Sequence, residues 1–296
     1  MPIGALEVVP QGALTVVTHG ALEVVPQGAA GVRWRTRETE GSGDPVVYVH
    51  GLLASSASWR SVLDGASAGR PAIAVDLPGF GASDRPWPYD YTVSGEARSL
   101  LAFLDARHIA RAALVGNSLG GATVMQVAAT RPERVAALVL VAAATAETPV
   151  PWPVAVLRTP VLGELALALS TRASVAIGLR MRIYARASNV TPHAIDDAWL
   201  PLTIPGTRRA ALAAIRTDPR EFEGLAARVT APALVVWGEE DRMIPVREGR
   251  RLAERLPNAR FAVIPNAGHL PQREEPEKFS EIVRGFLDEV RFKTSS

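Results

Sequence analysis

The feature of this sequence that most restricts its fold is a regular alternation of short apolar runs and longer amphipathic segments, which begins near Gly31. Apolar runs of this kind are typical of strands buried on both faces, as in a parallel sheet. They lie at 46–49, 72–75, 112–115, 136–141, 233–237 and 261–264. Segments with helical spacing lie at about 56–64, 94–108, 118–130, 246–256 and 275–290. The alternation predicts an α/β fold with a doubly wound, mostly parallel sheet.

The alternation is interrupted once, between residues 147 and 217. This stretch opens with three closely spaced prolines, contains no clear strand and is rich in Leu, Ala and Arg. Its eight arginines outnumber four carboxylates, which gives about +4 in a chain whose formal net charge is +2. Because the strand pattern resumes at Ala231, we expect a helical lid over 147–217, inserted into an α/β core formed by 31–146 and 218–296.

The first 30 residues form a segment of their own, either an extension or the first strands of the sheet. An internal repeat of eight residues runs through it: GALEVVPQ (4–11), GALTVVTH (12–19), GALEVVPQ (20–27) and the diverged GAAGVRWR (28–35). Each copy is a short β-prone run closed by turn residues. Since near-identical copies cannot fix a register, any of them could supply the first strand.

The composition excludes several kinds of site. The chain has no cysteine, which removes disulfides, thiolate metal sites, iron–sulfur clusters and a cysteine nucleophile. Its five histidines are too far apart for a HExxH zinc helix, no lysine lies in a phosphate-binding loop, and 79–81 lacks the third glycine of a dinucleotide fingerprint. We therefore expect neither a metal nor a cofactor. The small net charge also argues against a nucleic-acid partner.

No export or membrane-spanning segment is recognisable in the sequence. The first 32 residues contain no Lys or Arg, so the charged start of a signal peptide is missing. The most apolar stretch, 161–179, is interrupted by Glu164 and Arg172 and falls short of the ~18 purely apolar residues of a span. We expect a cytoplasmic protein with no integral membrane contact, which acts on a small, mostly apolar molecule as a monomer or a homodimer.

The predicted chemistry centres on a G-x-S-x-G motif at residues 116–120, which directly follows a predicted strand and opens a predicted helix. In this context the motif forms a sharp turn that exposes a serine hydroxyl at the edge of the sheet. The glycines give the room that the turn needs, and the helix N-terminus favours developing negative charge. The pattern predicts Ser118 as a nucleophile.

A serine hydroxyl needs a base, and the base needs a group that orients it. Two segments near the C-terminus supply both, each just after a predicted strand: WGEEDRMIP carries Asp241, and NAGHLP carries His269. The chain order of Ser118, Asp241 and His269 is that of the α/β-hydrolases. Parallel strands place their following loops at one edge of the sheet, so we expect these side chains to meet there. Glu147, after another predicted strand, is the reserve for Asp241.

Acyl transfer also needs two backbone N–H donors for the oxyanion of its tetrahedral intermediate. Leu119, the residue after the nucleophile, supplies one of them, and Leu52 in the turn His50-Gly51-Leu52 is the expected second. We expect His50 to brace this turn by hydrogen bonding and not to take part in catalysis.

Five motifs together resemble the α/β-hydrolase superfamily, specifically its lidded, haloperoxidase- and epoxide-hydrolase-like branch. They are HGLLASSASW (50–59), DLPGFGASDRP (76–86), GNSLGG (116–121), GEEDRMIP (238–245) and AGHLPQREEP (267–276). The resemblance runs through 46–290 and leaves the N-terminal repeat uncovered. It implies an eight-stranded type of sheet and the same assignment of nucleophile, acid, base and oxyanion donors.

Departures from related groups narrow the expected chemistry. Related haloalkane dehalogenases and epoxide hydrolases use an aspartate at the elbow where this chain has a serine. Carbon–carbon bond hydrolases of ring-fission products have GNS-type elbows, which Asn117 matches, but they typically carry a tryptophan where this chain has Leu270. They also use a lid arginine for a substrate carboxylate, a role open to Arg180, Arg182 or Arg186.

We expect first a carboxylesterase that cleaves a small or medium ester through an acyl-enzyme. The alternatives are a carbon–carbon bond hydrolase acting on a vinylogous diketone acid, and a receptor or lyase that keeps the triad. The composition of the lid favours an apolar pocket with few polar groups. The expected substrate-binding residues are Asn117, Trp152, Arg180, Arg182, Tyr184, Arg186 and Leu270.

Overall fold

The architecture comes from a computed structural model, which describes residues 23–26, 31–146, 148 and 150–290. The first two copies of the repeat and Glu147, the reserve acid, lie outside the described residues.

Within the described residues, eight strands form one sheet in the spatial order β1-β2-β4-β3-β5-β6-β7-β8. They are β1 Glu23–Pro26, β2 Arg33–Thr39, β3 Val46–Val49, β4 Ala72–Asp76, β5 Ala112–Asn117, β6 Val135–Val141, β7 Ala233–Gly238 and β8 Ala259–Ile264. Strand β2 pairs antiparallel with both β1 and β4, while the other neighbouring pairs are parallel. The predicted α/β fold with a mostly parallel sheet is confirmed.

The six predicted apolar runs correspond to strands β3 to β8. The sequence pattern misses β2, because its arginines and glutamate hide a strand in which Trp34 and Thr36 are buried. Trp34 stacks on Phe103, with ring centroids 4.9 Å apart. Strand β1 falls in the third repeat copy, and its Val24 lies opposite Arg35 of β2. A repeat copy therefore pairs with the sheet.

Helices cover both faces of the sheet. They are α1 Leu63–Ala66, α2 Val93–Ala106, α3 Leu119–Thr130, α4 Trp152–Arg158, α5 Leu162–Ala168, α6 Arg172–Gly178, α7 Pro192–Thr203, α8 Thr207–Ile215, α9 Leu225–Arg228, α10 Val246–Arg255, α11 Pro271–Glu274 and α12 Pro276–Glu289. Val47 and Val49 of β3 belong to the apolar cluster built with α2, α3 and α10. Val46 and Tyr48 belong to the cluster built with α1 and α12, because successive side chains of a strand point to opposite faces.

Helices α4 to α8 lie between β6 and β7 and belong to what we call the helical insertion, residues 147–217. A π-helical turn, Leu179–Ile183, continues α6. Part of the insertion has a small buried apolar cluster of its own, which includes Tyr184. In the part of the chain that the structure describes, no single helix is long and apolar enough to cross a membrane.

One carboxylate lies inside the core. Glu96 of α2 is fully buried, and neither of its oxygens has a hydrogen-bond partner among the described residues. The Tyr89 hydroxyl lies close by and pairs with Ser99 Oγ at 2.5 Å. Burial, together with the nearby charge of Asp90, raises the pKa of Glu96 well above its usual value. The ionised form is therefore disfavoured in the folded protein.

Candidate active site

The serine elbow lies between β5, which ends at Asn117, and α3, which begins at Leu119. Ser118 has a φ of 54° and a ψ of −117°, a conformation that L-residues rarely adopt and that is common at functional turns. A Cβ on Gly116 would lie 2.3 Å from the Gly120 carbonyl oxygen, and one on Gly120 would lie 2.4 Å from the His50 carbonyl oxygen. Only glycine fits at these two positions, so the motif is required by close backbone packing.

An aspartate and a histidine form a buried pair at the same edge of the sheet. His269 Nδ1 lies 2.8 Å from Asp241 Oδ2, and the Asp241 side chain is fully buried. Asp241 Oδ1 accepts N–H bonds from Met243 and Ile244, both at 2.8 Å. An ionised carboxylate only accepts hydrogen bonds, so the imidazole donates from Nδ1 and leaves its Nε2 free as an acceptor. This is the arrangement that a general base requires.

The loops that carry Asp241 and His269 are fastened to each other. The Glu240 N–H donates to the Ala267 carbonyl at 2.9 Å. A Cβ on Gly238 would lie 2.1 Å from the carbonyl oxygen of Gly268, so the two loops touch through backbone atoms. Trp237 holds the Asp241 loop from below, because its Nε1–H donates to the Ile244 carbonyl at 2.8 Å.

Asn117 joins the elbow to the His269 loop. Its Nδ2 donates to the Val141 carbonyl at 3.1 Å and to the His269 carbonyl at 3.2 Å, and the residue is almost completely buried. Ser118 and His269 are therefore held together through the residue that precedes the serine. The Nδ2 of Asn117 is thus committed to two backbone carbonyls, and the expected role of this residue in substrate binding stays a prediction.

The His50-Gly51-Leu52 turn lies directly against the serine. A Cβ on Gly51 would lie 3.1 Å from both Ser118 Cβ and Asn117 Oδ1. His50 is fully buried, and burial lowers its pKa, so the ring is neutral. Its Nε2 accepts the Leu77 N–H at 3.0 Å, which places the proton on Nδ1, 2.7 Å from the Gly51 carbonyl oxygen.

This bond orients the peptide that carries the Leu52 N–H. The Gly51 carbonyl and the Leu52 N–H belong to one planar peptide and point in opposite directions. Because His50 holds the carbonyl, the Leu52 N–H is directed away from the imidazole. The Leu119 N–H is the first of α3, and helices leave their first four N–H groups without an intrahelical partner.

Asp76 is a buried residue of the site region that the sequence does not single out. Its Oδ1 accepts the Ser56 N–H at 2.6 Å, and its Oδ2 accepts the Ala82 N–H at 2.7 Å. A Cβ on Gly81 would lie 2.1 Å from Asp76 Oδ2, so the 77–86 loop closes tightly over this carboxylate. Its position at the carboxyl end of β4 and at the start of the 76–86 motif was the available signal.

Glu274 is a second such residue, and it connects the site to the helical insertion. Its Oε1 accepts the Gly268 N–H and its Oε2 accepts the Ala185 N–H, both at 2.7 Å. Burial raises the pKa of Glu274, and the N–H bonds partly oppose that rise. Next to it, the His269 N–H donates to the Ile183 carbonyl at 2.7 Å. Segment 183–185 of the insertion is thus bonded directly to the His269 loop.

Comparison with known proteins identifies the family. A sequence profile of the α/β hydrolase fold family matches residues 44–276. The chain belongs to this family. A 2-hydroxy-6-oxononadienedioate/2-hydroxy-6-oxononatrienedioate hydrolase of Paraburkholderia phymatum is 32% identical over 276 residues, which cover 86% of this chain and 91% of that protein.

Two further proteins are similar to this chain over most of its length. A 2-hydroxymuconate semialdehyde hydrolase of Pseudomonas sp. strain CF600 is 30% identical over 275 residues, covering 88% of this chain and 93% of that protein. A solved structure of a serine hydrolase involved in carbazole degradation is 27% identical, with a TM-score of 0.75 over 90% of this chain and 98% of that one.

The expected substrate-binding residues of this α/β hydrolase are spread over different environments. Trp152, at the start of α4, is 68% exposed, and its expected role in substrate binding stays a prediction. Tyr184 is buried next to the His269 loop, and Leu270 packs against the same cluster of the insertion. Burial raises the pKa of Tyr184, so its hydroxyl stays protonated near neutral pH.

The three candidate arginines flank the segment that touches His269. Arg182 is half-buried and directly precedes Ile183, whereas Arg180 and Arg186 are exposed. Among the described residues, none of the three forms an ion pair with a carboxylate. The described residues also include no cluster of three or more His, Asp or Glu side chains that could hold a metal ion.

Proposed function

We propose that this α/β hydrolase cleaves a carbon–carbon bond in a vinylogous diketone acid, with Ser118, His269 and Asp241 as its catalytic triad. The observation that carries the proposal is the buried Asp241–His269 pair, which Asn117 joins to the strained Ser118 elbow. The relatives named 2-hydroxy-6-oxononadienedioate/2-hydroxy-6-oxononatrienedioate hydrolase and 2-hydroxymuconate semialdehyde hydrolase, at 32% and 30% identity over most of the chain, support this substrate class. They favour this alternative over the carboxylesterase that the sequence analysis puts first.

The geometry supports an acyl-enzyme route. His269 Nε2 takes the proton of Ser118 Oγ, which attacks the substrate carbonyl, and the Leu52 and Leu119 N–H groups hold the oxyanion. The carbon–carbon bond then breaks, its electron pair is delocalised onto the oxygen of the leaving dienolate, and this oxygen takes the proton from His269. Water, activated by the same imidazole, hydrolyses the acyl-enzyme. One water is consumed, and a carboxylic acid and a hydroxydienoate are released.

Arg182 is the residue that we assign to the substrate carboxylate. The residue is half-buried, it has no carboxylate partner among the described residues, and its neighbour Ile183 is bonded to His269. A planar guanidinium binds a carboxylate through two parallel hydrogen bonds, which fixes the orientation of the ligand.

Ester hydrolysis is the second candidate, and Leu270 favours it. The residue after the histidine is apolar and packs on the buried cluster of the insertion, whereas carbon–carbon bond hydrolases typically carry a tryptophan there. The same triad cleaves an ester without needing an anionic anchor, because an alkoxide leaves more readily than a carbanion.

The test is a rate panel on purified protein with Ser118→Ala as the control. A fluorophosphonate probe reports whether Ser118 is an active nucleophile, whatever the substrate. A ring-fission dienoate is then compared with p-nitrophenyl esters of increasing acyl length. We expect labelling of the wild type only, with kcat/KM for the dienoate well above that for any ester.

Two outcomes would overturn the proposal. Ester turnover with negligible dienoate cleavage would make the protein a carboxylesterase, and labelling without turnover of either would favour a receptor or lyase. Arg182→Gln is expected to raise KM for the dienoate about tenfold or more, since a charged hydrogen bond contributes about 1.5–3 kcal/mol. Arg228→Gln, at an exposed arginine of α9, is the matched control.

A further inference from the structure

Large apolar side chains are exposed almost only on the helical insertion. Among the described residues, eleven of them are exposed, and ten lie between Val150 and Ile204; the other is Trp87. Single exposed apolar side chains are ordinary, but a concentration of them on one part of a protein marks an interaction surface.

Helix α5 shows the pattern most clearly. Leu162, Leu165 and Leu169 are 52%, 51% and 77% exposed and are spaced three and four residues apart, which places them on one face of the helix. The opposite face is already packed: Leu167 is buried, and a Cβ on Gly163 would meet the backbone of α4. Helices that are apolar on both faces are ordinarily buried, which makes the exposed leucine face of α5 a candidate contact surface.

The next helix along the chain, α6, also carries exposed apolar side chains. Ile177 and Met181 are exposed four residues apart, on α6 and its π-helical turn. We call the exposed side chains of Leu162, Leu165, Leu169, Ile177 and Met181 the outer apolar surface. Helices Leu162–Ala168 and Arg172–Ile183 together have the length and apolarity of a membrane span, but they are bent by 111°. That geometry suits contact with the surface of a bilayer better than passage through it.

Where the structure describes it, the helical insertion carries arginines that have no carboxylate partner. Each carboxylate of the insertion that the structure describes is paired with an arginine. The pairs are Glu164 with Arg216, Asp196 with Arg172 and Asp197 with Arg273, at 2.6 to 2.8 Å. Exposed Arg180 and Arg186, by contrast, have no carboxylate partner among the described residues, and Arg180 directly precedes Met181. Positive charge without a matching acid therefore follows the exposed apolar residues along the chain, at Arg180 and Arg186.

We propose that the outer apolar surface docks onto an anionic lipid surface, with the α5 leucines at the level of the headgroups and Arg180 and Arg186 near lipid phosphates. Amphipathic helices with arginines beside apolar residues bind in this way, and anionic headgroups attract such segments. A second copy of the chain is a poorer occupant. A two-fold interface places the same patch on both sides, so unpaired arginines would face each other with no acid between them.

Vesicle flotation of the full-length protein tests the proposal, which does not depend on the bond that the enzyme cleaves. Extruded vesicles of phosphatidylglycerol are compared with vesicles of phosphatidylcholine, at low and high NaCl. We expect binding to phosphatidylglycerol that is at least tenfold stronger than to phosphatidylcholine and that weakens with salt. The double substitution Leu165→Gln and Leu169→Gln is expected to reduce it at least tenfold without changing Tm, because both side chains are exposed.

Trp87→Gln, at the exposed apolar residue outside the insertion, is the control and leaves binding unchanged. Arg180→Gln with Arg186→Gln is expected to remove the preference for anionic vesicles. Absence of binding to phosphatidylglycerol, or equal binding by the wild type and the leucine variant, overturns the proposal. So does a solution dimer of the wild type that the leucine variant converts to a monomer, because the surface would then be an interface between copies.

Discussion

Replacing Glu274 by alanine tests whether the helical insertion holds the His269 loop in place. The buried carboxylate accepts the Gly268 and Ala185 N–H groups, both at 2.7 Å. Removing it leaves two buried donors unpaired, at about 1–3 kcal/mol each, while the burial cost of the carboxylate itself is recovered. We expect the free energy of unfolding to fall by about 2–4 kcal/mol and Tm by roughly 5–10 °C in a chain of this size.

The effect on catalysis is expected to exceed what stability explains. Gly268 directly precedes His269, and a displacement of about 1 Å in a catalytic group can lower the rate about 100-fold. We therefore expect kcat to fall about 100-fold with KM nearly unchanged, since Glu274 holds backbone and not substrate. Glu274→Gln keeps one acceptor, so about tenfold of the lost rate is expected to return.

The assay combines thermal unfolding with the rate of fluorophosphonate labelling of Ser118 and with kcat and KM, all below the Tm of the variant. Glu277→Ala, at an exposed glutamate in the first turn of α12, is the matched control and is expected to stay within about 0.5 kcal/mol of wild type. If Glu274→Ala has a lowered Tm but its Ser118 is labelled at the wild-type rate, the role of Glu274 in positioning the His269 loop is refuted. An unchanged Tm would refute the two hydrogen bonds themselves.

Three further substitutions test other parts of the site and the core. His50→Ala removes the donor that orients the Gly51–Leu52 peptide, so kcat is expected to fall about 10- to 100-fold in the same assay; an unchanged kcat would mean that the turn keeps its shape alone. Asp241→Asn replaces the carboxylate that accepts the His269 Nδ1–H by an amide, and kcat is expected to fall about 10⁴-fold, as for the corresponding change in serine proteases. A loss of less than tenfold would contradict the role of Asp241 in orienting His269. Because the folded-state pKa of Glu96 is raised, the wild type loses stability as pH rises from about 4.5 through that pKa, and Glu96→Gln does not. The Tm of this variant is expected to exceed that of the wild type by about 2–4 °C at pH 8 and to equal it near pH 4.5. A Tm difference that is the same at both pH values would contradict the raised pKa of Glu96 in the folded protein.

Local sequence pattern was sufficient for most of the α/β core. A strand buried on both faces must be apolar at nearly every position, so β3 to β8 stand out in the sequence. The glycines around Ser118 also predict their local structure, since each is required by close contacts within the turn or with the neighbouring strand. Strand β2 was not predicted because its outer face carries arginines. Only its packing on α2 shows which of its side chains are buried.

The contacts that assemble the site depend on residues far apart in the chain. Asn117 bonds His269 across 152 positions, and Glu274 bonds Ala185 across 89. Nothing in an asparagine or a glutamate indicates which distant backbone group it will meet, because that is decided when the sheet and the insertion pack together. The same holds for the insertion, whose leucines are alike in sequence. Leu167 is buried and Leu165 is exposed only because neighbouring helices cover one face of α5 and leave the other open.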